Sequence, residues 1–337
     1  MNITEKLYGL FEKGDLKAID LLLTAHPQLL ERDDLLGRAV RHGSLPVVKH
    51  MLKAGAKNVQ KALSYIVYGN KKDVAEFLVK QGANMAGNEL EGHVLIGACE
   101  VLNPEAMDII LELADPPSQE DLWRCMAMLL CTYTRKPEEK HLCIQRLESM
   151  GYELPDTLPM AFHKGDLKTI AKRLKGKTSL INETYSLEDI YPSKLVLDPT
   201  DGLHLTPLEG STLLHMAVEY HETDLLSLLL ELEADVNALA AIGQDGFGGH
   251  TALFHTVVSY TYYDNTKATK LLNYGANPNL TATLKKQLKH MGNKELEEAY
   301  VFTDVTPTEY ARQFQVQDWV SQPSIEVINL HQSKAFH

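Results

Sequence analysis

The residue types that could do chemistry in this chain are scattered, and their spacings exclude most of the chemistry. Asp198, Asp201 and Glu209 could pair as carboxylates for acid–base work, with His204 beside them, but such a pair needs a pocket and a charged loop is otherwise simply solvated. His250 and His255 are five residues apart and do not share a helical face as an i, i+4 pair would, so no HExxH-type metal motif is present. Cys125, Cys131, His141 and Cys143 invite a zinc reading. At about 100° per residue, however, Cys125 and Cys131 point some 120° apart on one helix, and no CxxC spacing occurs. Lys175 to Thr178, KGKT, resembles the end of a phosphate-binding loop. The first glycine of that motif would fall at Ala171, and the segment follows a helix where the motif follows a strand. No GxSxG or GxGxxG is found. These absences predict no catalytic residue, no metal and no cofactor, and leave binding as the work of the chain.

The elements that must position any binding residue are helices. Gly210 to Ala238, GSTLLHMAVEYHETDLLSLLLELEADVNA, reads as helix, turn, helix and exit. Thr212 stands where a hydroxyl can accept from an orphan amide of the first turn. Leu213, Leu214, Ala217 and Val218 form one apolar stripe, and Leu225, Leu228, Leu229 and Leu232 form the next after a break at His221 to Asp224. Two short helices are marginal alone in water, so a neighbouring copy must cover the stripe.

That copy is written in the chain. Phe11 to Ile19 reads FEKGDLKAI and Phe162 to Ile170 reads FHKGDLKTI, with seven of nine positions alike. Gly14 and Gly165 suit the left-handed residue that ends a helix, and the Asp after each can cap the next. The same turn recurs at Gly43, Asn70, Asn103, Pro137, His221 and Asn265, with the first four turns about 30 residues apart. The second helices share an exit: AGAK at Ala54, QGAN at Gln81, LEAD at Leu232 and YGANPN at Tyr274. Here the chain resembles the ankyrin repeat family, whose repeats start on Thr-Pro-Leu-His and leave through Gly-Ala-(Asp/Asn)-x-Asn. TLLH at Thr212, TALF at Thr251 and TPTE at Thr306 are partial matches, and the N-terminal copies are degenerate, in the manner of bacterial-type members.

The resemblance implies an all-α helical solenoid of about eight to nine helix pairs. It would be one continuous array: degenerate repeats over 1–180, a long inserted loop over 181–210, repeats over 211–320 and a tail over 321–337. It also places a structural histidine at His215, hydrogen-bonded to backbone between repeats. Two further departures from the period are expected. One is a glycine-rich linker after Asn237, and the other is TATLKKQLKHMGNKELEEAYVFTDV, which carries a helical charge pattern.

Long connections often carry function, and ankyrin-like arrays usually bind through such fingers and the concave face beside them. The contact candidates are Tyr185, Tyr191, Asp198, Asp201 and His204 in the insert. Asp245, Phe247 and His250 follow at the glycine-rich finger, then Tyr260, Tyr262, Tyr263 and Asp264 in the run SYTYYDNTK. A protein partner is expected for what reads as a non-enzymatic, monomeric scaffold. The alternatives are a small-ligand or catalytic site beneath the 182–210 loop, with His204, Asp198 or His250 supplying polar groups, and a structural module of a larger assembly. A formal charge of −12 speaks against nucleic acid and anionic membrane as partners. No apolar run reaches the roughly 18 residues of a membrane span, and MNITEKLYGLFEKGDLK has no signal-peptide pattern. The expected compartment is therefore the cytoplasm, with export as an effector the alternative. All four cysteines, Cys99 included, sit in apolar helical segments and read as buried thiols.

Overall fold

The computed structural model describes residues 2–87, 93–132, 136–192, 194–195, 206, 208–258, 264–287, 299–314 and 320–334. The chain divides into two compact units, one of residues 1–132 and 142–153, the other of 133–141 and 154–337.

In the first unit, short amphipathic helices follow one another in pairs: α1 (Ile3–Lys13) and α2 (Leu16–Ala25), α3 (Leu35–His42) and α4 (Leu45–Lys53). Next come α5 (Val59–Leu63), prolonged by a 3-10 turn at Ser64–Tyr68, and α6 (Lys72–Lys80). The pair α7 (Val94–Glu100) and α8 (Pro104–Leu113) follows, then α9 (Gln119–Cys131). Helix α10 (Pro137–Ser149) is shared between the two units. First helices stack on first helices, α1 on α3, α3 on α5 and α7 on α9. They therefore bury more than one face: Leu35, Leu36, Ala39 and Val40 of α3 are all within the core. Second helices bury a single stripe at i, i+4 spacing, such as Val47 and Met51 of α4 or Val74 and Leu78 of α6.

The second unit repeats the plan with α11 (Leu158–His163) and α12 (Leu167–Leu174), then α15 (Leu213–Glu219) and α16 (Thr223–Glu231). Between them lie two one-turn helices, α13 (Thr178–Ile181) and α14 (Leu187–Ile190). Helices α17 (Phe254–Val257), α18 (Thr266–Asn273), α19 (Pro307–Arg312) and α20 (Gln322–Lys334) complete it. The tail expected from residue 321 is thus a helix, because Ile325 and Ile328 are one turn apart and both buried. The segment after Asn279 is a second correction. Where the charges suggested a helix, β1 (Ala282–Gln287) pairs antiparallel with β2 (Ala299–Val305), Leu284 opposite Phe302 and Lys285 opposite Val301. The strand-favouring run Tyr300, Val301, Phe302 and Thr303 outweighs the charge spacing.

The near-copies fold identically. Gly14 and Gly165 have φ of 65° and 66°. Asp15 Oδ1 accepts from Ala18 N, and Asp166 Oδ1 from Thr169 N, each at 3.0 Å. Leu102 and His221 hold the same left-handed turn without glycine, at φ 55° and 59°. At the exits, Gly55, Gly82 and Gly275 have φ of 102°, 96° and 91°, whereas the repeat ending at LEAD places Glu233 there at 63°. A side chain in this region costs about 1–2 kcal/mol, offset in part by the greater entropy of an unfolded glycine. Glu233 is exposed, so Glu233→Gly is expected to raise unfolding free energy by about 0.5–1 kcal/mol. Gly82→Ala, with nothing within 4 Å of the added carbon, should lower it by about 1 kcal/mol through the dihedral alone. Urea denaturation of the two variants checks both signs.

Candidate partner-binding surface

The insert between α12 and α15 is anchored at both ends. Tyr185 N–H donates to Ser211 O at 2.9 Å and Gly210 N–H to Tyr185 O at 2.8 Å, closing its base as a two-residue antiparallel bridge. Ser186 caps α14 through Asp189. Ile190, Tyr191, Leu195 and Leu208 are buried. Tyr191 is fully buried, its hydroxyl 2.5 Å from that of Tyr220, which also reaches Thr206 Oγ1 at 3.4 Å. Lys140 Nζ stands 4.5 Å over the Tyr220 ring, and His163 Nε2 is 3.0 Å from Ile190 O. Tyr191 is therefore a core side chain with no surface to give a partner. Its aromatic ring in a proline-rich stretch read as exposed only because its mate lies 29 residues on. Tyr185 is nearly as buried, 7% exposed, with its hydroxyl donating to Glu183 at 3.3 Å, and burial pushes its phenol pKa up. One edge of Tyr185 borders an open groove of about 290 Å³, also lined by Leu158, Leu180, Arg173 and Lys177. Asp198, Asp201 and His204 lie outside the described residues, as do Tyr260, Tyr262 and Tyr263.

The glycine-rich stretch after Asn237 folds into a tight finger. Gly249 N–H donates to Ala240 O and Gly243 N–H to Phe247 O, at 3.1 and 2.8 Å. Asp245 sits exposed at the tip and accepts from Phe247 N–H at 3.3 Å. Gly248, at φ 135°, cannot be replaced, since a Cβ there would meet Ala241 O at 2.2 Å. Its N–H donates to Thr283 O at 2.9 Å and so joins the finger to β1. Strand side chains alternate in direction. Leu284 and Phe302 share one face, where Phe302 packs on Tyr310 and Phe314. Lys285 and Val301 share the other, where Lys285 Nζ lies 5.6 Å over the Phe247 ring. The finger also presents Leu239 and Ile242, which are 51% and 68% exposed, and Val301 is 56% exposed.

Residues 209–241 match the sequence pattern of the ankyrin repeat. They are an ankyrin repeat. Helix pairs elsewhere in the chain share its turn, at Gly14, Leu102 and Gly165, or its exit, at Gly55, Gly82 and Gly275, so the fold is a mostly helical array of ankyrin-type repeats with one β-hairpin. Solved structures to which the chain is similar include the human ASB11 ankyrin repeat domain, 15% identical, covering 82% of this chain and 97% of that one at a TM-score of 0.34. Another is the ankyrin repeat domain of Bcl-3, a member of the IkappaB protein family, 16% identical over 96% and 97% at a TM-score of 0.24. At such TM-scores the assignment rests on the repeat match and the helix pairs. No curated protein matches the chain significantly.

Within the 209–241 repeat, His215 has the structural role its position implies. Its Nε2 is 3.0 Å from His250 O, across to the next finger. Thr212 and His215 form a capping box at the start of α15, in which the Thr212 N–H donates to His215 Nδ1 at 3.3 Å and the Thr212 hydroxyl lies 2.8 Å from the same nitrogen. His250 and His255, excluded as a helical pair, do meet: His250 precedes α17 and lies off the helix, so their Nε2 atoms are 3.1 Å apart. His255 Nδ1 is in turn 2.6 Å from Glu219 Oε2. Sequence reasoning missed this chain of contacts because it is set by the finger's return path. Asp264, just before the N-cap Asn265 of α18, accepts from Thr266 N–H at 2.9 Å, while its carbonyl accepts from Ser321 and Ser324. No group of three metal-binding side chains is found among the described residues. Cys99, Cys125, Cys131 and Cys143 are buried thiols, and Cys125 with burial pushes the Cys99 pKa up.

Burial holds His163, His215 and His250 neutral. The His215 pKa falls to about 3, and those of His163 and His250 lie well below the usual value. The unfolded chain therefore takes up protons first, near pH 6.5, so the stability is complete above that pH and is lost as pH falls below it. Each group contributes about 1.4 kcal/mol per pH unit. Lowering pH from 7.5 to 5.5 is expected to cost about 3–4 kcal/mol by urea denaturation, and His163→Gln should remove about a third of that loss.

Proposed function

We propose that the chain is a non-enzymatic binding scaffold that takes a protein partner on its C-terminal connections, beside the face made by the first helices of its repeats. The observation that carries this reading is the placement of exposed apolar side chains. Six of the nine large ones among the described residues, Leu239, Ile242, Tyr274, Tyr300, Val301 and Leu330, fall in the last hundred residues. Leu239 and Ile242 lie on a finger whose backbone is bonded at Gly243, Gly248 and Gly249, and Val301 on a strand paired with β1. Ordering entropy is thus spent in folding and not in binding. Phe247, with Lys285 across its ring, adds an aromatic anchor of the kind that dominates interface energetics. Asp245 and His250 flank it at the tip and at the root.

The insert serves as a second contact through Asp198, Asp201 and His204, and the run Tyr260 to Asp264 as a third. The buried residues 190, 191, 195 and 208 make the insert part of the core, so its role is tested by exchanging only residues 196–205 for a Gly-Ser linker. Replacing 183–208 would unfold the unit around Tyr220, since losing one buried aromatic side chain already costs about 3–5 kcal/mol. A partner captured from native-source lysate by the intact chain should be lost by the Ile242→Asp, Val301→Asp pair of substitutions, with the melting temperature unchanged. Undiminished capture by that variant refutes the finger and hairpin as the contact. Undiminished capture by the 196–205 exchange removes the insert.

A further inference from the structure

The first unit carries a strip of stacked aromatic and cationic side chains that none of the preceding reading uses. It runs over α1, α3 and the 3-10 turn that prolongs α5. The His42 and Tyr8 rings stack with centroids 4.9 Å apart and an interplanar angle of 7°. The Arg38 guanidinium carbon lies 5.7 Å from the Tyr8 centroid and 5.7 Å from that of Tyr65, on the neighbouring repeat. Tyr65 leads on to Tyr68 at 6.1 Å, and Arg41 sits 4.0 Å over the Tyr68 ring. The strip is built into the helices. A Cβ on Gly37 would meet the Tyr65 ring at 2.4 Å, so glycine at that position of α3 is what lets the ring lie beside Arg38.

The charges in this strip do not cancel. Asp34 is engaged by Arg32 and by Arg38 Nε, at 3.0 and 3.1 Å, and Glu12 by His42 at 3.0 Å. Arg38 makes no other hydrogen bond among the described residues, and Arg41 makes neither a hydrogen bond nor an ion pair there. Arg41 and Tyr68 are both exposed. The contact of the Arg41 guanidinium with the Tyr68 ring already restricts its rotamers, so it meets a carboxylate with little further loss of entropy. Arg38 and Arg41 are i, i+3 on α3, which sets their Cβ atoms about 5–6 Å apart. Alternate side chains of an extended peptide, about 6.5–7 Å apart, fit that spacing.

We infer that the Tyr8, Arg38, Tyr65, Tyr68 and Arg41 strip of the first unit is a second interaction surface, which takes an extended acidic peptide segment with carboxylates at alternate positions. Local charge complementarity selects that occupant. Arg41, and Arg38 through the N–H groups it does not give to Asp34, suit a short acidic segment. A long polyanion such as nucleic acid would in addition face the repulsion of a chain whose net charge is −12.

The test uses the full-length chain and three fluorescein-labelled probes: an alternating Glu-Gly decapeptide, its Lys-Gly counterpart and single-stranded oligo-dT of ten nucleotides. Fluorescence anisotropy at low salt reads each titration. Saturable binding of the Glu-Gly probe alone is expected, weakened at least fivefold by Arg41→Ala and by Tyr68→Ala and about threefold by Arg41→Lys, which keeps the charge without the planar stack. Arg124→Ala on α9, an exposed arginine away from the strip, should leave it unchanged. Circular dichroism melts establish that the variants remain folded. The inference is overturned if the Glu-Gly probe does not bind, if Arg124→Ala weakens it as much as Arg41→Ala does, or if oligo-dT binds more tightly than the peptide.

Discussion

No helix pair in this chain can cover its own apolar stripe, and every other feature follows from that constraint. A helix of eight or ten residues carries one or two buried turns and is marginal alone, so α3 needs α1 on one side and α5 on the other. Stacking demands that each copy return the chain to the same place, which fixes the two tight points of the repeat. At the first, Gly14 and Gly165 reverse direction at positive φ and the aspartate after each caps the next helix. At the second, Gly55, Gly82 and Gly275 release the chain outward. The residues between these points vary widely, because only the side of the helix that meets its neighbour is constrained.

What was legible in the sequence is what this constraint writes locally. The glycine and aspartate of each turn, the exits and the backbone bond of His215 are each fixed by residues a few positions apart or by the period itself. Three other features were not legible, for a common reason. Tyr191 is buried by Tyr220, Tyr185 by the return of the chain at Ser211, and His250 meets His255 because the finger folds back before α17. Each of these contacts is set by the path of a connection, which has no period to read. The hairpin after Asn279 was obscured differently. Lys285 and Lys286 gave β1 a helical look, and its pairing with Tyr300 to Val305 depends on register across a stretch with no repeat signature.

The same logic explains why the irregular segments gather where they do. Lengthening a connection costs loop entropy only slowly, whereas an inserted residue inside a helix pair would misplace every stacked stripe. Insertions therefore accumulate at the exits. Once there, they are not left loose: Ile190, Tyr191, Leu195 and Leu208 tie the insert into the core, and Gly248 ties the finger to β1. The base of a connection held in this way has the rigidity of the repeats.

Order completed on folding is what a binding surface requires, since it need not be repeated on association. The two units reach that condition by different means. In the second, backbone hydrogen bonds through glycines fix Ile242 and Phe247 in place, and strand pairing with Lys285 fixes Val301. In the first, there is no such finger in the described residues around Arg38 and Arg41, and the side chains themselves supply the order, each guanidinium set against tyrosine rings of the neighbouring repeats. Tyr65 can do this only because α3 offers Gly37 beneath it, so a residue whose absence of side chain looks like a weakness in a helix is what turns a stacked pair of repeats into a charged, preorganised surface.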